Sequence, residues 1–99
     1  MADTVKMLKA LADDNRLKIF TMLTEGETCA CRILEQLNIA QPTLSRHMKI
    51  LVDSGLVSVR KDAQWMRYSI NRDNLNELNQ FFRSLSEEIP VIGTGCGCK

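Results

Sequence analysis

Gln41-Pro42-Thr43-Leu44-Ser45-Arg46-His47-Met48-Lys49-Ile50-Leu51 is the stretch whose reading decides the fold. Pro42 suits a first helical turn, where a missing N–H costs nothing. Gly55 suits the position just past a helix end. Between them Leu44, Met48 and Leu51 recur at i, i+4 and i+7, the spacing of one buried stripe. Thr43, Ser45, Arg46 and Lys49 point away from that stripe and make an outer face of hydrogen-bonding and cationic groups. Upstream, Ile33, Leu34 and Leu37 mark a short helix ending near Asn38, joined to the next by a link of about three residues. Two short helices so joined read as helix-turn-helix, whose second helix enters the major groove of DNA.

Working back toward the N-terminus, Thr28 is a plausible N-cap for the short helix, which places Cys29, Ala30 and Cys31 in its first turn. Val5, Leu8, Leu11 and Ala12 suggest a first amphipathic helix. Asp13 or Asp14 can cap the next, in which Leu17, Phe20 and Leu23 recur at helical spacing until Gly26 stops it. Arg16 lies opposite this stripe, where a surface or cap-pairing role is at least as good a reading as a contact to DNA.

Working forward, Leu56-Val57-Ser58-Val59-Arg60 and Trp65-Met66-Arg67-Tyr68-Ser69-Ile70 are alternating, β-rich segments around a polar turn, which read as a hairpin. Asp73 or Asn74 begins a last helix in which Leu75, Leu78, Phe82, Leu85 and Ile89 step by three and four residues, a coiled-coil-like seam. Such a seam at the end of a chain suggests pairing with a second copy; packing on its own domain is the alternative. Pro90 ends the helix, and residues 90–99 read as a flexible Gly/Cys tail carrying Cys96 and Cys98. Residues 1–89 are therefore expected to form one DNA-binding and dimerisation domain, mainly α with a small β-hairpin.

Ninety-nine residues make one domain, near the lower end of comfortable size for a single core. A hydrophobic fraction of 44% and a charged fraction of 25% are ordinary for a globular chain. No apolar run approaches membrane-spanning length and Met1-Ala2-Asp3-Thr4 does not open a signal segment, so a cytoplasmic protein without a membrane partner is expected. A net charge of +1 counts against nucleic acid as a bulk signal. Locally the balance differs. Between residues 41 and 67 the bases Arg46, Lys49, Arg60, Lys61 and Arg67 outnumber the acids Asp53 and Asp62 by three charges.

The chain from about Leu8 to Leu85 resembles the ArsR/SmtB family of winged-helix metalloregulatory repressors. The resemblance is carried by Leu11-Ala12-Asp13-Asp14-Asn15-Arg16-Leu17-Lys18-Ile19, by Cys29-Ala30-Cys31, by the stretch 41–51 and by Gly55-Leu56-Val57. It implies a winged helix-turn-helix homodimer that sits on operator double-stranded DNA and lets go when a metal or metalloid ion binds, with the hairpin as the wing. Family members usually carry Gly at the wing tip. Asp62-Ala63 stands there instead, so a two-residue type I′ turn is not expected and a longer loop is. On this reading Gln41, Thr43, Ser45 and Arg46 reach base edges, Lys49, Arg60, Lys61 and Arg67 contact phosphates, and Leu75, Leu78, Phe82 and Leu85 form the dimer seam.

Four cysteines in two Cys-x-Cys pairs, without a signal segment, point to metal ligands or redox groups rather than a disulfide framework. Thiolates at a helix N-terminus are favoured by the macrodipole. Residues i and i+2 of a regular helix differ by about 200° in direction, so Cys29 and Cys31 are expected to share one ion only if the first turn unwinds. That distortion would then be felt by the recognition helix. The resemblance to the arsenic-sensing branch implies three thiolates for a trivalent centre. Leu34 stands where a nearby third is common, which leaves Cys96 or Cys98, within a reach of up to about 25 Å. Soft sulfur donors without an imidazole cluster favour As(III) or Sb(III), with Cd(II) or Pb(II) as the alternative and no organic cofactor. His47, the single histidine, reads as a packing or phosphate-contacting residue. A thiol redox-switch regulator of the same fold is a second hypothesis. A thiol enzyme is not supported, because no Cys-x-x-Cys, no Arg six residues after either cysteine and no phosphate cradle occur.

Overall fold

The computed structural model describes residues 3–90 and contains five helices and three strands among them. These run in the order α1 (Thr4–Leu11), α2 (Asp14–Leu23), β1 (Thr28–Cys29), α3 (Ala30–Gln36), α4 (Gln41–Asp53), β2 (Val57–Asp62), β3 (Trp65–Ile70) and α5 (Arg72–Glu88). Cys96, Cys98 and the rest of the tail from residue 91 lie outside the described residues.

The core is built where the helix-turn-helix stripe meets the first two helices. Leu44, Met48 and Leu51 of α4 are buried against Met7, Ile19 and Ile33, with Leu56 and Val57 beneath them. Gly55 leaves α4 at φ 91°, a left-handed turn that directs the chain into β2. Buried Ser54 secures that turn, donating to the Leu51 carbonyl at 2.6 Å and accepting from the Leu56 amide at 3.1 Å.

Three expected helix faces differ from the sequence reading. In α1 the core takes Met7 and Ala10, while Val5 (56%) and Leu8 (37%) are exposed. In α2 it takes Ile19, Phe20 and Leu23, while Leu17 is 51% exposed. Short helices carry apolar residues on more than one side, and only the neighbour decides which side is inside. In α5 Leu78 is buried and Leu75 half-buried, whereas Phe82, Leu85 and Ile89 of the same seam are exposed. The seam therefore divides into a part that belongs to this chain's core and a part that this chain leaves open.

The hairpin forms with β2 and β3 antiparallel from Val57↔Ile70 to Asp62↔Trp65, so the turn is only Ala63-Gln64. The longer loop expected there is absent. Ala63 takes φ 58° as the single non-glycine residue at positive φ among the described residues, which suits the first central position of a type II′ turn and not type I′. Strand pairing continuing to the tip outweighs the local cost at Ala63. Two-residue β1, which the sequence did not announce, adds a third strand in the order β1-β3-β2, with Thr28 opposite Tyr68 and Cys29 opposite Arg67.

Helix α5 starts at Arg72, one residue before Asp73 and two before Asn74. Asn71 is its cap, accepting from the Asn74 amide at 3.1 Å, and the Asn74 side-chain amide donates to the Gly55 carbonyl at 2.7 Å. Asn74 thus ties the start of α5 to the turn that ends α4. Asp13 rather than Asp14 caps α2, accepting from the Asn15 and Arg16 amides.

Candidate nucleic-acid interface and thiol site

Helix α4 presents Gln41, Ser45, Arg46 and Lys49 to solvent; Thr43 is half-buried beside them. Its orientation is fixed from behind. Arg16 donates from Nε to the Ala10 carbonyl at 2.7 Å, and its Nη1 lies 3.2 Å from Nδ1 of the largely buried His47. A guanidinium can only donate, so His47 accepts at Nδ1 and carries its proton on Nε2. One arginine joins the end of α1, the start of α2 and the inner flank of α4. Its reading as a structural residue, one of the two left open, is the one the geometry supports. The Asp13 carboxyl beside it is held below the ordinary value, first by the hydrogen bond from the Arg16 amide, with the Arg16 charge also lowering it against the opposing effect of burial.

The expected phosphate contacts are not equivalent. Arg60 gives Nε and Nη2 to the two oxygens of Glu27 at 2.7 and 2.9 Å, a bidentate pair. Arg67 gives Nε to Asp62 at 3.2 Å, and Lys49 pairs with Asp53 at 3.3 Å on the exposed surface of α4. Among the described residues, Arg46 and Lys61 enter no ion pair. Glu27 was not singled out in the sequence, and no local signal could have done so. It reaches Arg60 only because β1 pairs with β3.

The cysteines depart from expectation in a way that matters for chemistry. Cys29 lies outside the helix, as the N-cap of α3 in extended backbone (φ −93°, ψ 161°), and only Cys31 lies in the first turn. At this strand-to-helix junction the two sulfurs converge; they are joined as a disulfide, with the Cα atoms 5.4 Å apart. No helical turn has to unwind for both sulfurs to face one centre, because the divergence of i and i+2 applies to a regular helix only. The joined pair is an oxidised form, where free thiols were expected. Among the described residues no cluster of three or more His, Cys, Asp or Glu residues suited to a metal ion occurs.

The pair opens on a cleft of about 390 Å³ that runs between the first two turns of α4, from Gln41 to Met48, and the wing, with the polar side chains of Gln41, Ser45 and Gln64 among its lining. Leu34, Leu44 and Met48 line it on the helical side, Trp65 and Met66 on the wing side. Anything held by Cys29 and Cys31 therefore adjoins both elements that carry the candidate DNA-contacting residues. No helix among the described residues is long and apolar enough to cross a membrane.

Residues 13–59 match the model of the family described as bacterial regulatory protein, arsR family. Over 96 residues the chain is 43% identical to an arsenical resistance operon repressor of Staphylococcus xylosus, covering 94% of this chain and 86% of that one. A repressor of the same description from Staphylococcus aureus is 47% identical, with the same coverage. Among solved structures, a possible transcriptional regulator for arsenical resistance superposes with a TM-score of 0.73 at 26% identity, covering 81% of this chain and 83% of that one.

Proposed function

We propose that this chain, which belongs to the arsR family of bacterial regulatory proteins, represses transcription by holding operator DNA as a homodimer and releases it when Cys29 and Cys31 bind trivalent arsenic or antimony. The observation that carries the reading is the convergence of the two sulfurs on a cleft walled by α4 and the wing. Soft sulfur donors suit a thiophilic centre. In the reduced chain each thiol gives its proton to a hydroxide on the metalloid, which leaves as water while a sulfur bond replaces the oxygen bond. Two bonds come from Cys29 and Cys31. The third comes from Cys96 or Cys98 of the tail.

On the DNA side, Gln41, Ser45 and Arg46, with Thr43 at their flank, are the residues that reach base edges, and Lys49, Lys61, Arg60 and Arg67 serve the phosphates. The dimer rests on the open part of the α5 seam at Phe82 and Leu85, continuing the core contact of Leu75 and Leu78. A second reading, release by oxidation of the same pair, is favoured by the bonded sulfurs.

The test is operator release from the DNA upstream of the chain's own gene, under strict reduction with a phosphine. Arsenite should release wild type and leave Cys29→Ser and Cys31→Ser bound. Release of the Cys31→Ser variant by arsenite would refute the site. Release of wild type by peroxide once the phosphine is removed, with no release by arsenite in its presence, would favour the oxidative reading.

A further inference from the structure

The dimensions of duplex DNA dictate what crosses the mouth of the cleft between α4 and the wing. An α-helix with its side chains is about 10–12 Å across and the major groove about 12 Å wide, so α4 fills the groove it enters. The wing then meets the duplex beyond one of the two sugar–phosphate strands that border that groove. Gln41 and Ser45, exposed on α4, stand on one side of the cleft, and Gln64 and Trp65 of the wing tip stand on the other.

We infer that this bordering strand seats against the wing tip, with a deoxyribose on the indole of Trp65 and the adjoining phosphate on the side-chain amide of Gln64. The inference rests on the reading of the chain as an operator-binding protein. It adds two residues to the interface and gives them the task of holding the backbone.

The side chains at the tip suit that occupant and no acidic one. Trp65 is 50% exposed, and its indole offers an apolar face to a sugar and an N–H to a phosphate oxygen. Gln64, exposed beside it, supplies two further N–H donors without a charge. Among the described residues no Asp or Glu lines the cleft. Asp62, opposite Trp65 in the hairpin, accepts from Nε of Arg67 at 3.2 Å, so its charge is offset within the wing. Lys61, the residue before it, enters no ion pair among the described residues. A phosphate at the tip therefore meets donors and a cation. Contacts of this kind set the register of a protein on its duplex and carry no sequence information themselves.

The experiment uses the full reduced chain with two probes, a duplex from upstream of its own gene and a random duplex of equal length. Trp65 is the single tryptophan, so its emission reports this contact alone. Its quenching by acrylamide should fall when either duplex is bound. Trp65→Ala should lower affinity for both duplexes about tenfold and leave the salt dependence unchanged, since the surface lost is apolar. Trp65→Phe should restore most of that loss. Gln64→Lys should raise both affinities and steepen the salt dependence by about one counterion for each wing. Undiminished acrylamide quenching on the operator would overturn the inference, as would Trp65→Ala affinities within about twofold of wild type on both duplexes. Loss on the operator alone would make Trp65 a reader of bases and overturn its backbone assignment. Should Trp65→Ala lower the Tm, the quenching of wild type decides by itself. Failure of the underlying reading is a different result: wild type would bind neither duplex.

Discussion

Glu27 and Arg60 form a bidentate pair, at 2.7 and 2.9 Å, across 33 residues of chain. The carboxylate precedes the cysteine pair by two residues and the guanidinium stands on the wing strand β2, so the thiol site and the wing share a charged fastening. Arg60, Arg67 and Cys29 lie opposite one another along one row of the three-stranded sheet. The Glu27 carboxyl is held below its ordinary value chiefly by the side-chain hydrogen bond from Arg60.

Releasing that fastening should alter DNA binding in a particular way. Glu27→Gln removes a negative charge and frees Arg60, so non-specific affinity should rise and the salt dependence should steepen by about one counterion. Lys61→Ala, at a wing cation without an ion-pair partner, should flatten the slope by a similar amount, weakening all sequences alike. Binding measured against salt concentration checks both. A slope unchanged in Glu27→Gln would mean that Arg60 does not serve a phosphate.

Arg46 should behave differently from Lys61. It stands exposed on the outer face of α4, and Arg46→Ala should cost about 1–3 kcal/mol on operator DNA while hardly affecting random DNA. Competition between the two DNAs provides the measurement, and equal losses on both would move Arg46 to the phosphate class.

The α5 seam predicts two distinct phenotypes. Leu78 is only 4% exposed, so Leu78→Ala should destabilise the fold itself by about 2–5 kcal/mol. Phe82 and Leu85 are about half exposed within one chain, at 48% and 49%. Leu85→Asp should therefore leave the folded content of the monomer intact and abolish the dimer. Sedimentation combined with thermal unfolding separates the two, and a Leu85→Asp protein that stays dimeric would place the interface elsewhere.

The cap at Asp13 gives a pH dependence with a defined sign. Its carboxyl is depressed in the folded chain, first by the hydrogen bond from the Arg16 amide. The stabilisation is therefore present above the unfolded value, near 3.8, and is lost as pH falls through the lower folded one. The Tm difference between wild type and Asp13→Ala should be constant above about pH 5 and shrink progressively below it. A difference that grew on acidification would contradict the assignment.

At the wing tip, Ala63 holds φ 58°. Ala63→Gly removes the left-handed penalty at some cost in unfolded-chain entropy, and should stabilise the hairpin by ~0.5–1 kcal/mol, read as a rise in Tm. Ala63→Val should lower it.

Local chemistry sufficed for the frame of this protein. Pro42, the Leu44-Met48-Leu51 stripe and Gly55 set out the recognition helix because first-turn, buried-face and left-handed requirements are each satisfied by single residues acting over one or two turns. The alternating pattern around residues 57–70 set out the hairpin in the same way. What lay beyond reach depended on partners distant in sequence. Which face of α1 and α2 turned inward was decided by α4, since both helices carry apolar residues on two sides. The two residues of β1 are too few to show a period, and only pairing with β3 makes them a strand. That pairing draws Cys29 out of α3, brings its sulfur to Cys31 and places Glu27 within reach of Arg60. The cysteines themselves were legible as soft donors from composition alone; their convergence, and the cleft they open on, exist only once strand, helix and wing are assembled, because side-chain direction is set by the backbone on which each residue ends up.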